Sequence, residues 1–160
     1  MRKLQEYRSS IWRVPLIAVI AGFLYIPLYV RIVVHFGVIE PGVIDPLVSL
    51  LTSAGLLFAT LVLGGVTLLR KQSRKEILIS AAVVSLYGIV LMVLQLITNS
   101  VAGPAAVIFL HMQTPLEWTG FFSEVFLFLE NSFGISCPAI GWLRPFVPFC
   151  FVLFGRKTIA

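Results

Sequence analysis

The chain has 160 residues, of which 59% are hydrophobic and only 12% are charged, and its mean hydropathy is +1.01. A soluble globular domain cannot bury that much apolar surface, so the composition predicts an integral membrane protein. The net charge of +5 comes from basic residues at the ends of apolar segments rather than along one solvated face, which argues against nucleic acid as a partner.

Three uncharged or nearly uncharged segments follow one another from the N-terminus. They cover residues 14–36, 46–69 and 77–98. Each exceeds the ~20 residues that a helix needs to cross the apolar core of a bilayer. Asp45 followed by Pro46 is typical of a helix start, because the carboxylate caps the first turn and proline fits its first position. The sequence therefore predicts three membrane-spanning helices here.

A fourth apolar segment covers about residues 135–154 and is interrupted by Arg144 and three prolines. If it also crosses, the protein is an all-α integral membrane protein with four transmembrane helices in an antiparallel bundle. Residues 1–160 then form a single membrane domain in contact with the lipid bilayer. We expect no separate soluble domain, since no stretch is long enough to form one.

Basic residues fall on one side of this four-crossing arrangement. They precede the first helix, fill the turn between the second and third, and follow the fourth. Cytoplasmic flanks of membrane helices are enriched in lysine and arginine, so we expect both termini in the cytoplasm and the chain in the plasma (cell inner) membrane. The ten residues of this set are Arg2, Lys3, Arg8, Arg13, Arg70, Lys71, Arg74, Lys75, Arg156 and Lys157.

Residues 99–134 are too numerous for a simple turn and too apolar for a solvated loop. The tetrapeptide from Thr114 to Glu117 has the pattern of a capping box, which predicts that a helix starts there. From 115 to about 131, aromatic residues fall on one half of that helix and Glu117 and Glu124 on the other. This pattern predicts an amphipathic helix on the outer membrane surface, with its acids in water. Residues 104–112 fit either a second interfacial piece or a re-entrant one.

Arg144 is the foremost candidate for a functional residue, because an arginine inside a spanning helix is costly and is usually retained for a purpose. In an α-helix, Pro145 and Pro148 would free the carbonyl oxygens of Gly141 and Arg144. Such a broken helix is tolerated where it lines a cavity or meets another protein surface. Alternatively, a crossing that begins near Pro145 would leave Arg144 at the outer interface, with its charge in water. The sequence leaves both positions open.

Further candidate ligand-binding residues are few. Glu117 and Glu124 could act with Arg144 as acids on the outer side, and Gln95 is the polar contact of a possible substrate path along the third helix. His35 and His111 are weak metal candidates, because they lack ligand spacing. We predict no metal, and no other cofactor.

Small residues at spacings of three and four indicate where the predicted helices pack closely. The candidate packing positions are Ala18, Gly22, Gly64, Ala81, Ser85 and Gly88.

Two function hypotheses follow. The sequence contains no nucleophile elbow, HExxH motif, P-loop or dinucleotide fingerprint, which argues against an enzyme. The first hypothesis is a non-catalytic subunit that contacts other membrane protein subunits, or a second copy of itself, through the outer acidic helix. The alternative is a membrane-embedded transporter or enzyme for an anionic amphiphile or lipid, with Arg144 as its anion anchor. An internal Arg144 would favour the alternative.

Overall fold

The computed structural model describes residues 11–40, 43–98 and 104–156. Within these ranges, three helices are long and apolar enough to cross a membrane: α1 (Arg13–Phe36), α2 (Pro46–Gly64, continued to Leu69 by one π-helical turn) and α3 (Arg74–Thr98). The predictions of a helical fold and of three long apolar helices at these positions are confirmed. Many large apolar side chains on these helices are exposed, among them Phe58, Leu86 and Ile97, as expected of surfaces that face lipid.

Short local signals join the three helices. A small antiparallel hairpin, β1 (Val38–Glu40) and β2 (Val43–Ile44), links α1 to α2. Asp45 caps α2 as predicted, accepting a hydrogen bond from the backbone N–H of Leu47 at 2.8 Å. At the start of α3, Ser73 and Glu76 form a reciprocal capping box: the Glu76 carboxylate accepts the Ser73 N–H at 2.9 Å, and the Ser73 hydroxyl accepts the Glu76 N–H at 3.3 Å.

The predicted fourth helix has an unexpected conformation. It is a 3₁₀ helix over Pro138–Phe154, 17 residues long, hereafter the long 3₁₀ helix. At ~2.0 Å per residue it measures ~34 Å, whereas 17 residues of α-helix would measure ~26 Å. Pro145, Pro148 and Phe151, spaced three apart, are buried, while Leu143 and Phe146 are about half exposed. Because 3₁₀ hydrogen bonds reach three residues back, the prolines free the carbonyls of Trp142 and Pro145, not those predicted from α-helical geometry.

Three arginines of the described chain lie at one end of the molecule. The guanidinium of Arg13 donates to the carbonyl of Leu68 at the end of α2, at 3.0 Å. The N–H of Arg74 donates to the carbonyl of Arg156 at 3.3 Å, so the chain after the long 3₁₀ helix lies beside the turn between α2 and α3. This end therefore collects Arg13, Arg74 and Arg156. The predicted members Arg2, Lys3, Arg8 and Lys157 lie outside the described residues.

The segment between α3 and the long 3₁₀ helix differs from its prediction. It consists of α4 (Pro104–Gln113), a short 3₁₀ helix (Thr114–Thr119) and α5 (Phe121–Phe133). The predicted capping box does not form, because α4 runs directly into the short 3₁₀ helix and the Thr114 hydroxyl donates back to the carbonyl of Leu110 at 3.5 Å. The prediction of one continuous helix from residue 115 to 131 is therefore wrong.

The short 3₁₀ helix packs beside the middle of α1 rather than at its end. A Cβ atom placed on Gly22 would lie only 2.0 Å from the carbonyl oxygen of Thr114. Gly22 lies nine residues beyond Arg13, which is ~14 Å along a helix that is ~36 Å long. Trp118 of the short 3₁₀ helix is fully buried, and its ring centroid lies 5.7 Å from that of Phe151. The short 3₁₀ helix of the 104–133 segment thus folds back into the helical core.

Candidate functional site

The folded-back segment places Glu117 against Arg144. The nearest oxygen of the Glu117 carboxylate lies 3.7 Å from Nη2 of Arg144, and the two side chains are 20% and 23% exposed, respectively. The guanidinium also donates to the hydroxyls of Thr119 and Ser123, at 3.5 and 3.4 Å. All of these contacts are long for charge-assisted hydrogen bonds, which are typically ~2.7–2.9 Å.

The position of Arg144 along α3 follows from the contacts of its neighbour, Pro145. Pro145 packs against Gly88 of α3: a Cβ on this glycine would lie 3.3 Å from Cβ of Pro145. Gly88 lies 14 residues from Arg74 and ten from Thr98, which places it ~21 and ~15 Å from the two ends of α3. Arg144 is therefore beside the middle part of α3, and its partners are side chains of this chain.

Glu124, which was predicted to face water, instead faces α1 and α2. The hydroxyl of Tyr29 donates to one carboxylate oxygen of Glu124 at 3.0 Å, and the hydroxyl of Ser49 donates to the other. These two hydroxyls also contact each other, and Tyr29 stacks on Tyr25 with ring centroids 5.5 Å apart. Glu124 therefore accepts hydrogen bonds from two hydroxyls. Glu117, in contrast, is paired with Arg144, which also donates to Thr119 and Ser123.

The two acids consequently differ in what stabilises their charge. Burial raises the pKa of Glu117 above its usual value, and the nearby Arg144 guanidinium partly opposes this by lowering it. Glu124 instead accepts hydrogen bonds from the hydroxyls of Tyr29 and Ser49. Arg144 is thus the group that opposes the rise in the pKa of Glu117.

A cavity of about 360 Å³ lies beside this cluster, between α3 and the long 3₁₀ helix. Arg144 and Ser123 form one polar part of its wall. Gln95 and Gln113 form another and are joined by a hydrogen bond of 2.8 Å from Nε2 of Gln113 to Oε1 of Gln95. The remainder of the wall is mainly apolar and consists of Gly88, Leu91, Met92, Leu116, Gly141, Trp142 and Pro145.

Three of the four predicted ligand-binding residues therefore share one region, and the fourth adjoins it. Arg144 and Gln95 line the cavity, Glu117 contacts Arg144, and Glu124 lies on the neighbouring α5. The sequence-based reasoning missed Gln113, Ser123, Thr119, Tyr29 and Ser49. The spacing of four between Tyr25 and Tyr29 was a usable signal, since it puts both phenols on one face of α1.

The weak metal candidates lie apart from this site. His35 is exposed near the end of α1 and contacts Phe36 edge-on, and His111 is exposed on α4. Among the described residues, no group of three or more metal-ligating side chains comes together. All six predicted packing positions, in contrast, are buried: Ala18, Gly22, Gly64, Ala81, Ser85 and Gly88.

Comparisons with protein-family models, with curated proteins and with solved structures found no match to this chain.

Proposed function

We propose that the chain is a four-crossing membrane protein that binds an amphiphile with an anionic headgroup, and that Arg144 is the anion anchor. The observation that carries the proposal is the internal position of Arg144 at the wall of a cavity. Ionisable residues among membrane helices usually face the protein interior, pair with one another and mark binding sites or pathways.

The length and the end contacts of the long 3₁₀ helix support a fourth crossing. Its ~34 Å matches the ~30 Å apolar core of a bilayer, although its 17 residues would be short for an α-helix. Its C-terminal end lies beside the turn between α2 and α3. An even number of crossings then puts both termini and the basic end on one side, which we assign to the cytoplasm of a cell with the protein in its plasma membrane.

The contacts of Arg144 leave room for an anion. A guanidinium carries five N–H donors, and the three described contacts of Arg144 are 3.4 Å or longer. A headgroup oxygen in the cavity could approach to ~2.8 Å and form a shorter, stronger charge-assisted bond. Carboxylates, phosphates and sulfonates all present oxygens to the planar donor fork of an arginine.

The rest of the cavity favours an amphiphile over a free anion. Leu91, Met92, Leu116 and Trp142 provide apolar walls near the guanidinium. The cavity volume of about 360 Å³ is at the small end of ligand sites, which are commonly ~300–1,000 Å³, so it fits a headgroup and the first part of a chain. The amide pair of Gln95 and Gln113 offers further hydrogen bonds to the headgroup.

The non-catalytic subunit hypothesis relied on an acidic outer helix that is free to contact a partner. Glu117 and Glu124 are instead engaged within the chain, so anion binding has the stronger support. The subunit hypothesis is the expected conclusion if the binding experiment fails.

Titration calorimetry tests the proposal by measuring the binding of decanesulfonate to the purified protein in nonionic detergent. We expect saturable binding, and at least tenfold weaker binding by Arg144→Gln, which corresponds to the loss of about 1.4 kcal/mol or more. Arg31→Gln, at an exposed arginine of α1, is the matched control and should bind normally. Methanesulfonate should bind far more weakly if the occupant is an amphiphile, and equally well if it is a free anion.

Equal affinities for wild type and Arg144→Gln would contradict the proposal. Arg144→Lys provides a second variant in case Arg144→Gln fails to fold. It keeps the charge but loses the planar fork, so it should bind with intermediate affinity. Decyltrimethylammonium, a cation with the same chain length, should not compete with decanesulfonate for the site.

A further inference from the structure

We infer that binding of an anion at Arg144 is coupled to protonation of Glu117, so that the site takes up one proton with each anion. This coupling rests on the proposed anion site and makes binding at that site depend on pH. Its basis is that Glu117 and the incoming anion compete for the same guanidinium in a largely buried place.

The backbone around Glu117 is fixed by contacts on both sides. Its backbone belongs to the short 3₁₀ helix, whose first residue is pressed against Gly22 of α1. On its other side, the Glu117 carbonyl accepts the N–H of Gly120 at 2.8 Å, and Gly120 lies close to the Tyr25 hydroxyl. The Glu117 side chain is 20% exposed, so it stays largely desolvated when Arg144 turns to another acceptor.

The ionisable groups around Glu117 determine the direction of the effect. The long 3₁₀ helix contributes the positive charge of Arg144, and α5 contributes the negative charge of Glu124. From α1, the phenol of Tyr29 donates to Glu124, and the phenol of Tyr25 stacks on Tyr29. The segment Pro46–Gly64 of α2 contains no ionisable side chain, and His111 on α4 is exposed. Arg144 is therefore the only cation in these described surroundings.

An anion at Arg144 would leave three negative charges around one positive charge if both acids stayed ionised. Protonation of Glu117 offsets the added negative charge: the site holds Arg144 and two carboxylates before binding, and Arg144, one carboxylate and the anion afterwards. The net charge inside the membrane domain is then unchanged. A charge-neutral exchange of this kind avoids the cost of adding a charge to a low-dielectric region.

Glu117, rather than Glu124, is the group that takes the proton. Glu124 keeps the hydroxyl donors of Tyr29 and Ser49 whether or not the anion is bound. Glu117 loses its charged partner. Burial already raises the pKa of Glu117, and an anion that neutralises Arg144 cancels the effect that lowers it.

The linkage predicts a pH dependence with a definite sign. The bound state holds one more proton than the free state, so affinity rises as the pH falls through the interval between the two pKa values of Glu117. Within that interval the affinity changes by up to tenfold per pH unit. Decanesulfonate is a suitable probe, because a sulfonate stays ionised throughout.

The experiment measures decanesulfonate binding between pH 5 and pH 8.5 for wild type, Glu117→Gln and Glu130→Gln. Glutamine resembles the protonated acid, so Glu117→Gln should bind with little pH dependence and more tightly than wild type at pH 8. Glu130→Gln is the matched control, since Glu130 is an exposed acid on α5, and it should behave as wild type. Calorimetry of wild type in two buffers with different ionisation enthalpies counts the protons taken up, which should be close to one at mid-interval.

The possible failures are distinguishable. Binding that is lost in Arg144→Gln but shows no pH dependence and no proton uptake in wild type would overturn the coupling and leave the anion site standing. A pH dependence that persists in Glu117→Gln and disappears in Glu124→Gln would also overturn it. Absence of decanesulfonate binding at every pH would overturn both the coupling and the proposed function. The proton count uses wild type alone, so it stands even if Glu117→Gln fails to fold.

Discussion

Replacement of Arg144 by leucine should destabilise the protein, because it leaves Glu117 without its counter-charge. Opposite unit charges 3.7 Å apart attract each other by about 4–5 kcal/mol at an effective dielectric constant near 20. Removing one partner of a buried pair typically costs about 3–5 kcal/mol, since the other charge remains desolvated. Both side chains keep roughly a fifth of their exposure, so we expect the lower end, about 3 kcal/mol in the free energy of unfolding.

A double-mutant cycle separates this pairing from simple loss of packing. Adding Glu117→Gln to Arg144→Leu removes the stranded carboxylate, so the double variant should recover about 2 kcal/mol relative to the sum of the single changes. Equilibrium unfolding in mixed detergent micelles gives the four free energies that the cycle needs. Glu124→Gln should not rescue Arg144→Leu, since Glu124 is held by hydroxyls of α1 and α2.

Two controls make the cycle specific. Arg31→Leu removes an exposed arginine of α1 and should cost less than about 1 kcal/mol. Glu130→Gln, at an exposed acid, should be additive with Arg144→Leu within about 0.5 kcal/mol. If Arg144→Leu costs as little as Arg31→Leu and is additive with Glu117→Gln, the arginine is not paired inside the protein and the reasoning fails.

Other parts of the structure give three further predictions. Gly22→Ala should lower the free energy of unfolding by about 2 kcal/mol, because its Cβ would collide with a carbonyl of the short 3₁₀ helix. Gly55→Ala should not destabilise the protein, because nothing lies within 4 Å of its Cβ; unfolding midpoints compare the two variants. Ser49→Ala should cost about 2 kcal/mol in the same assay, since it removes a donor to a partly buried carboxylate. With Cys137 and Cys150 replaced by serine and an impermeant thiol reagent outside intact cells, Ile44→Cys should be labelled and Arg156→Cys should not; labelling of Arg156→Cys would contradict a fourth crossing.

The three long helices could be predicted because their signals are local. Unbroken apolar runs identify α1, α2 and α3, and Asp45 with Pro46 fixes the start of α2 within one residue. These features depend on neighbouring residues in the sequence and on the surrounding lipid. They do not depend on how the helices later pack.

The capping-box prediction failed because the local pattern competes with a longer-range contact. Thr114 follows Gln113, which is already helical, so the first turn has no free N–H groups for a cap to satisfy. Glu117 is instead engaged by Arg144, 27 positions further along the chain. Nothing in the tetrapeptide itself reveals that partner.

The composition of the site was partly predictable, whereas its geometry was not. The sequence predicts Arg144, Gln95 and Glu117 individually as site residues, because polar groups in apolar surroundings are costly. Their proximity depends on how deeply the 104–133 segment folds back, which the close approach of Thr114 to Gly22 determines. A glycine at position 22 indicates that another element packs closely there, but it does not indicate which element that is.

The threefold repeat of the long 3₁₀ helix makes this segment sensitive to the number of residues it contains. Successive residues are turned by ~120°, so positions three apart lie on one ridge. The ridge with Pro145, Pro148 and Phe151 is buried, and the ridge with Leu143 and Phe146 is exposed. Inserting or deleting one residue would exchange these ridges, burying the exposed one and moving Arg144 off the cavity. Inserting or deleting three residues would keep every residue on its ridge. Homologous segments should therefore differ in length by multiples of three residues.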